Sequence, residues 1–207
     1  MRSDDRSSVR ARTFTEEARR AQILGCAIEV LAELGYAQTS FARIAERAGV
    51  SKSVISYHFA GKDELLEQVI RSVHAEAADY MTPRIIAEPS AAGALTAYVR
   101  SNLEFVRDHR AAIDAVTEIL VNLRSRASWP PPAGGPESTL KPLQEILQRG
   151  HDEGVFAAFD TRTMAWAIRS LIDGLTRQRR QDPEFDVDTS IDELVTLIQR
   201  ATTGAGP

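Results

Sequence analysis

Thr39 to Leu65 reads TSFARIAERAGVSKSVISYHFAGKDEL. Two short helices around a glycine turn, followed at once by the start of a third, account for its spacing. In the first, Ser40 stands where an N-cap belongs, and Phe41, Ile44, Ala45 and Ala48 recur at helical spacing on one face. Gly49 falls where a helix ends in a left-handed residue, a conformation glycine adopts without strain. Val50 plugs the corner, and Ser51 is placed to cap a second helix carrying Lys52 to Phe59. Two helices crossing at such a turn form a helix-turn-helix, whose second helix lies in the major groove of DNA.

Working outward, the pattern stays helical. Thr13 and Glu16 have capping-box spacing, so a helix is expected from Thr13 or Thr15. Ile23, Leu24, Ala27, Ile28, Leu31 and Leu34 continue it on one face to Gly35. The arginine-rich residues 1–14 are expected to be a disordered basic arm, in which Arg10 and Arg12 could alternatively follow the minor groove. A long helix from Asp63 runs through Leu65, Leu66, Val69, Ile70, Val73, Ala77 and Tyr80 until Pro83 ends it. Further helices are expected near Ala91–Asp108, Ala111–Arg126, Ser138–Gly150, Thr161–Arg180 and Asp188–Ala201, with a Pro/Gly-rich loop from Trp129 to Pro136 and turns at Glu153–Gly154 and Asp182–Pro183. The expected fold is all-α with about nine helices. Residues 15–62 form the helix-turn-helix domain (motif about 40–59) and residues 63–203 a second helical domain.

Composition sets limits. The 207 residues, 43% hydrophobic, suffice for a sizeable core. No apolar run approaches the ~18 residues of a membrane helix, and the first residues lack the apolar segment of a secretory signal. The single cysteine, Cys26, cannot form an intrachain disulfide, which points to the cytoplasm. A net charge of −4 argues at first against nucleic acid, but residues 1–65 carry ten Lys/Arg against nine Asp/Glu, +1, leaving −5 for the rest. Two of the three lysines, Lys52 and Lys62, lie in the motif. A small positive face on an acidic body suits sequence-specific binding better than a non-specific coat. The four histidines are scattered, with no metal-ligand spacing, phosphate-cradling glycine loop or nucleophile elbow. No enzyme, metal or cofactor is expected.

This arrangement, centred on GVSKSVISYHFAGKDEL, resembles the tetracycline-repressor (TetR) family of bacterial regulators. The resemblance is specific across Ile23–Leu65. It includes the helix ending in Gly35–Tyr36, the IAERAGVSK core, the YHF end, and Lys62 followed by acidic residues and Leu. Beyond residue 66 it is architectural, with the SLIDGL segment (Ser170–Leu175) near the dimerisation helices. It implies a homodimer on a palindromic double-stranded operator, released when a small molecule enters the C-terminal domain. Two alternatives remain open: a helical small-molecule or protein-binding module that does not read DNA, and a repressor without an effector.

Residues follow from the motif and the resemblance. Lys52, Ser53 and Val54, nearest the N-terminus of the recognition helix, are placed to reach base edges: Lys52 to guanine, Val54 to a thymine methyl. Tyr57, His58, Lys62, Thr39 and Ser40 resemble the family's phosphate-contacting set, and Ser51 and Ser56 complete the DNA-binding candidates. Many members have tyrosine at the Ser56 position, so phosphate contacts here are expected to rest on Tyr57 and His58. Effector candidates are Asn102, Thr117, Asn122, Trp166 and Arg169, polar groups near apolar stripes. Leu171, Ile172, Leu175, Leu194 and Ile198, with Ile191 and Leu197, are expected to supply the core and a four-helix dimer interface.

Overall fold

The chain folds as nine α-helices among the residues that the computed structural model describes, which are 4–123, 135–182 and 184–203. In order they are α1 (Asp4–Gln38), α2 (Phe41–Ala48), α3 (Lys52–His58), α4 (Lys62–Ile86), α5 (Ala91–Asp108), α6 (Arg110–Leu123), α7 (Gly135–Asp152), α8 (Thr161–Gln181) and α9 (Val187–Thr203). No strand occurs among the described residues, as the all-α composition implies. They divide into two compact units. One is drawn from Met1–His74 and Ala111–Ala127, the other from Ala75–Arg110 and Ser128–Pro207.

In the first unit, α1 buries Ile23, Ala27, Val30 and Leu31, a stripe repeating every three or four residues. Helix α2 packs on it through Ile44, Ala45 and Ala48, and α3 is anchored by Ile55 with Phe59 just beyond its last turn. Leu65, Leu66, Val69, Ile70 and Val73 of α4 are buried, as are Ala112, Ala115, Val116, Ile119 and Leu123 of α6. The turn between α2 and α3 follows from Gly49. Its φ of 65° and ψ of 32° are left-handed, a conformation that costs other L-residues about 1–2 kcal/mol. There the Gly49 N–H reaches the Glu46 carbonyl at 3.3 Å and the Val50 N–H the Ala45 carbonyl at 3.0 Å, closing the helix end.

The second unit has one apolar core, from Leu95, Leu103, Leu140, Leu143, Leu147, Ile168, Ile172, Ile191, Leu194 and Ile198 among others. Gly150 is fixed there by close approach: a Cβ would lie 1.9 Å from the Phe156 ring, so no larger residue fits without moving it.

Several expectations need correction. The backbone is helical from Asp4 rather than from Thr13 or Thr15, so much of the expected disordered arm belongs to α1. The sequence allows this, because the first glycine is Gly25 and no proline precedes it. Gly35, with φ 76° and ψ 173°, does break α1. Pro83 does not end α4, which continues to Ile86. Pro83 gives up its own N–H bond and its ring crowds the Asp79 carbonyl, yet the helix persists for three more residues, with the Ala87 N–H bonding the Pro83 carbonyl at 3.1 Å. Finally, the division between units falls within α4, at His74, rather than at Lys62, and α6 joins the first unit. The expected loop from Trp129 to Pro136 lies largely outside the described residues, as does Pro183; α7 begins within that loop, at Gly135.

Candidate nucleic-acid interface

Helix α3 is two turns long and buries one side only. With Ile55 and Phe59 inward, Lys52, Ser53, Ser56 and Tyr57 are exposed, and Val54 and His58 are half-buried. Tyr57 is 74% exposed. Its hydroxyl donates to Glu16 Oε1 at 3.3 Å, and its ring meets His58 edge-on at 5.1 Å. Ser51 has the extended backbone of an N-cap, yet its hydroxyl pairs with Ser53 Oγ at 2.7 Å instead of reaching a backbone amide. Both hydroxyls therefore sit together at the exposed start of the helix. Ser40 is the cap that α2 was expected to have, accepting the Arg43 N–H at 3.4 Å.

Two candidates are placed differently from the rest. Thr39 is 3% exposed and donates its hydroxyl to the Gly35 carbonyl at 2.8 Å. A phosphate only accepts hydrogen bonds, so a hydroxyl already committed inward has no donor for it; Thr39 is a structural tie in this arrangement. Lys62 is half-buried, its Nζ donating to the Tyr36 carbonyl at 2.8 Å and lying 4.1 Å from the centre of the Tyr36 ring. Lys62 thus fastens the end of α1 beyond the Gly35 break. Glu118 of α6 holds the same residue from its other side, accepting the Tyr36 N–H at 3.4 Å.

Sequence reasoning missed the residues that brace this face. Arg20 donates to the His58 carbonyl at 2.6 Å and pairs with Glu64 at 3.3 Å. The Ala60 amide, and secondarily Arg20, hold the Glu64 carboxyl below the usual glutamate value. Arg47 joins α2 to α1 by bonding Glu29 at 2.9 Å and Glu33 at 3.0 Å. Arg43, exposed on α2, adds a cation near Ser40. Partners 38 and 44 positions apart, as for Arg20, leave no periodic trace in a sequence.

The effector candidates are divided between the two units. Thr117 and Asn122 lie on α6 in the first unit, and each bonds its own helix: Thr117 to the Ile113 carbonyl, Asn122 to that of Glu118, both at 2.8 Å. Trp166 is 42% exposed on α8. Asn102 reaches the Met81 sulfur at 3.7 Å. Arg169 pairs with Asp173 at 2.8 Å and stands beside Tyr98, a residue the apolar stripe of α5 had concealed. Burial pushes the Tyr98 hydroxyl above the ordinary phenol value, and the adjacent guanidinium pulls it back. The interface candidates divide as well. Ile172, Leu194 and Ile198 are core residues, Leu175 is half-buried against that core, and Leu171 is exposed. A helical stripe cannot tell a core face from a subunit face. Trp166, Leu171 and Leu197 are the large apolar side chains that α8 and α9 leave exposed. Among the described residues no helix is long and apolar enough to cross a membrane.

Similarity to known proteins agrees with this geometry. Residues 23–69 match the model of bacterial regulatory proteins of the tetR family. The HTH-type transcriptional regulator BetI 1 of Chromohalobacter salexigens is 30% identical over 205 residues, covering 90% of this chain and 94% of that protein. A crystal structure of a tetR-family regulatory protein from Rhodococcus RHA1 superposes with a TM-score of 0.76 at 26% identity, over 91% of this chain and 98% of its own. The structure of AibR with isovaleryl coenzyme A and operator DNA has a TM-score of 0.71 at 18% identity, over 86% and 97% of the two chains, a likeness of fold. With its helix-turn-helix, its all-α architecture and this kinship, the chain belongs to the tetR family of bacterial regulatory proteins and is a DNA-binding transcriptional regulator.

Proposed function

We propose that the protein is a cytoplasmic homodimeric repressor that reads a palindromic operator with α3 and is released from it by a small molecule held in the second unit. The observation that carries the DNA-reading part is the outward face of α3. Lys52, Ser53, Ser56 and Tyr57 are exposed on a helix whose only inward anchors are Ile55 and Phe59. Lys52 and Ser53 lie in its first turn, where such helices contact base edges, and Tyr57 is left for the backbone.

A second copy is supported by α8 and α9. Trp166 and Leu171 flank Thr163, Ala167, Ser170 and Gly174 on one side of α8, and Leu197 is 52% exposed on α9. Small residues between large ones let helices approach closely, and a two-fold pairing of this face with itself covers all three apolar side chains. Such a dimer presents two α3 helices about one DNA turn apart, ~34–36 Å, or at a related spacing. For the effector, Tyr98, Arg169 and Asp173 put hydrogen-bonding groups next to an apolar core, the pairing of surfaces that ligand sites use. AibR, a protein of similar fold, has been crystallised in complex with isovaleryl coenzyme A and operator DNA, which supports looking for both kinds of partner here. Release requires only that the ligand favour the non-binding state, with a coupling of typically ~1–3 kcal/mol.

Fluorescence anisotropy against DNA upstream of the gene, with scrambled DNA as reference and over a salt series, tests the reading. Lys52→Ala should cost about 1–3 kcal/mol on the operator and relax discrimination at one base pair. Leu171→Asp with Leu197→Asp should halve the mass seen by light scattering and weaken operator binding. Equal affinity for both DNAs by a folded dimer would sink the operator part. Unchanged affinity across an effector screen would leave a repressor without an effector.

A further inference from the structure

We infer that Arg20, on α1, is a positioning residue for base reading: it sets the pose of the recognition helix without itself touching DNA. The inference rests on α3 being the reading helix.

A seven-residue helix held by two apolar side chains can pivot about them, and a pivot moves every exposed side chain relative to the bases. The start of α3 is held by the Gly49–Val50 turn. Its end is held from α1. The last carbonyls of a helix have no partner within it. Arg20 Nη1 donates to one of them, that of His58, at 2.6 Å. Its Nη2 lies 3.3 Å from Glu64 Oε1, and the guanidinium carbon sits 4.4 Å from the centre of the Phe59 ring. Glu64 Oε2 completes the bracket by accepting the Ala60 N–H at 2.8 Å. One side chain thus engages the end of α3, the connecting residue Phe59 and the first turn of α4. Only a planar fork with several donors reaches a carbonyl, a carboxylate and a ring face together; a lysine ammonium does not. Because Glu64 balances the charge of Arg20, the pair offers phosphate little net attraction.

These features separate positioning from contact. Losing a phosphate contact lowers the salt slope by about one unit and weakens all DNA alike. Losing the pose of α3 lowers the preference for operator over scrambled DNA and leaves the slope unchanged. A merely less stable protein has a smaller active fraction but the same preference.

The experiment measures operator and scrambled-DNA affinity across a salt series for the intact protein and for Arg20→Ala, Arg20→Lys and Glu64→Gln. Circular dichroism melts run alongside, with Lys52→Ala and Tyr57→Ala as references. Arg20→Ala should reduce the operator preference about tenfold, the scale of one base contact, at an unchanged salt slope. Arg20→Lys should restore only part of it. Glu64→Gln, which keeps an acceptor for Ala60, should give a smaller loss in the same direction and serves if Arg20→Ala does not fold. A slope reduced by one unit in Arg20→Ala would overturn the inference in favour of direct phosphate contact. An unchanged preference in both Arg20→Ala and Glu64→Gln, with Lys52→Ala and Tyr57→Ala impaired, would overturn it alone. If the reference variants also bind like the intact protein, the assignment of α3 itself fails, and the inference with it.

Discussion

Both units of this chain have apolar cores, and they differ in how polar side chains supplement them. In the first, polar side chains grip the backbone of other helices and loops: Arg20 on the His58 carbonyl, Gln22 on that of Ala48 at 3.2 Å, Lys62 on that of Tyr36, and Thr39 on that of Gly35. In the second, a continuous apolar core supplies the cohesion, and polar links such as Arg100–Asp192 at 2.7 Å and Gln199–Thr96 at 3.0 Å lie at its edge. The difference follows from helix length. Helices of seven or eight residues bury too few side chains to define their own orientation, so hydrogen bonds of fixed direction do it. Helices of 17 to 21 residues interlock along several turns, and directional bonds, such as the Ala91 N–H to Glu153 at 2.9 Å, only fasten their ends.

The hardest test of that contrast is in the apolar unit. Leu147→Ala removes a fully buried side chain and should cost about 2–5 kcal/mol in urea denaturation. A loss below about 1 kcal/mol would mean that the core collapses around the gap and is not the source of cohesion. Next comes the buried tie in the reading unit. Thr39→Val keeps the shape but deletes the donor to Gly35, for an expected loss of about 1 kcal/mol in stability at an unchanged salt slope. A slope lower by about one unit would return Thr39 to the DNA contacts. The smallest effect is in pH. The Ala60 amide first, and Arg20 second, lower the Glu64 value, so its contribution is complete above the ordinary glutamate range and is lost as pH falls through the lower, folded-state value. The Ala60 amide resonance should therefore hold steady from neutral pH through that range and move only at more acid pH. The same resonance shifting within the ordinary range would show that the bracket is open in solution, and Glu64→Gln should abolish the transition altogether.

What could be read from the sequence was local. Ser40 and Gly49 are specified within a few residues by capping and a left-handed turn, and both are as expected, while Ile55 and Phe59 anchor the short helix that follows. Family membership was legible for the same reason, through the contiguous GVSKSVISYHFAGKDEL. The braces on that motif were not, because Arg20, Glu64 and Glu118 act across dozens of positions. Ile172, Leu194 and Ile198 were placed partly at a subunit face because one apolar stripe serves equally well against another helix of the same chain. Thr117 and Asn122 looked like ligand groups because a polar residue beside an apolar stripe does not reveal that its hydrogen bond returns to its own helix.

The membership of α6 in the first unit has a practical consequence for anyone who would transplant the reading head. That unit is not one continuous length of chain: residues 111–123 return to it after α5 has been made in the other. A fragment cut at His74 would leave Val116 and Ile119 behind and strip Tyr36 of its Glu118 acceptor. Hybrid regulators assembled by a single splice at the end of the helix-turn-helix would join a head to a foreign α6. The natural exchange needs two splices, and specificity grafted onto this protein is better introduced by changing the exposed side chains of α3 in place.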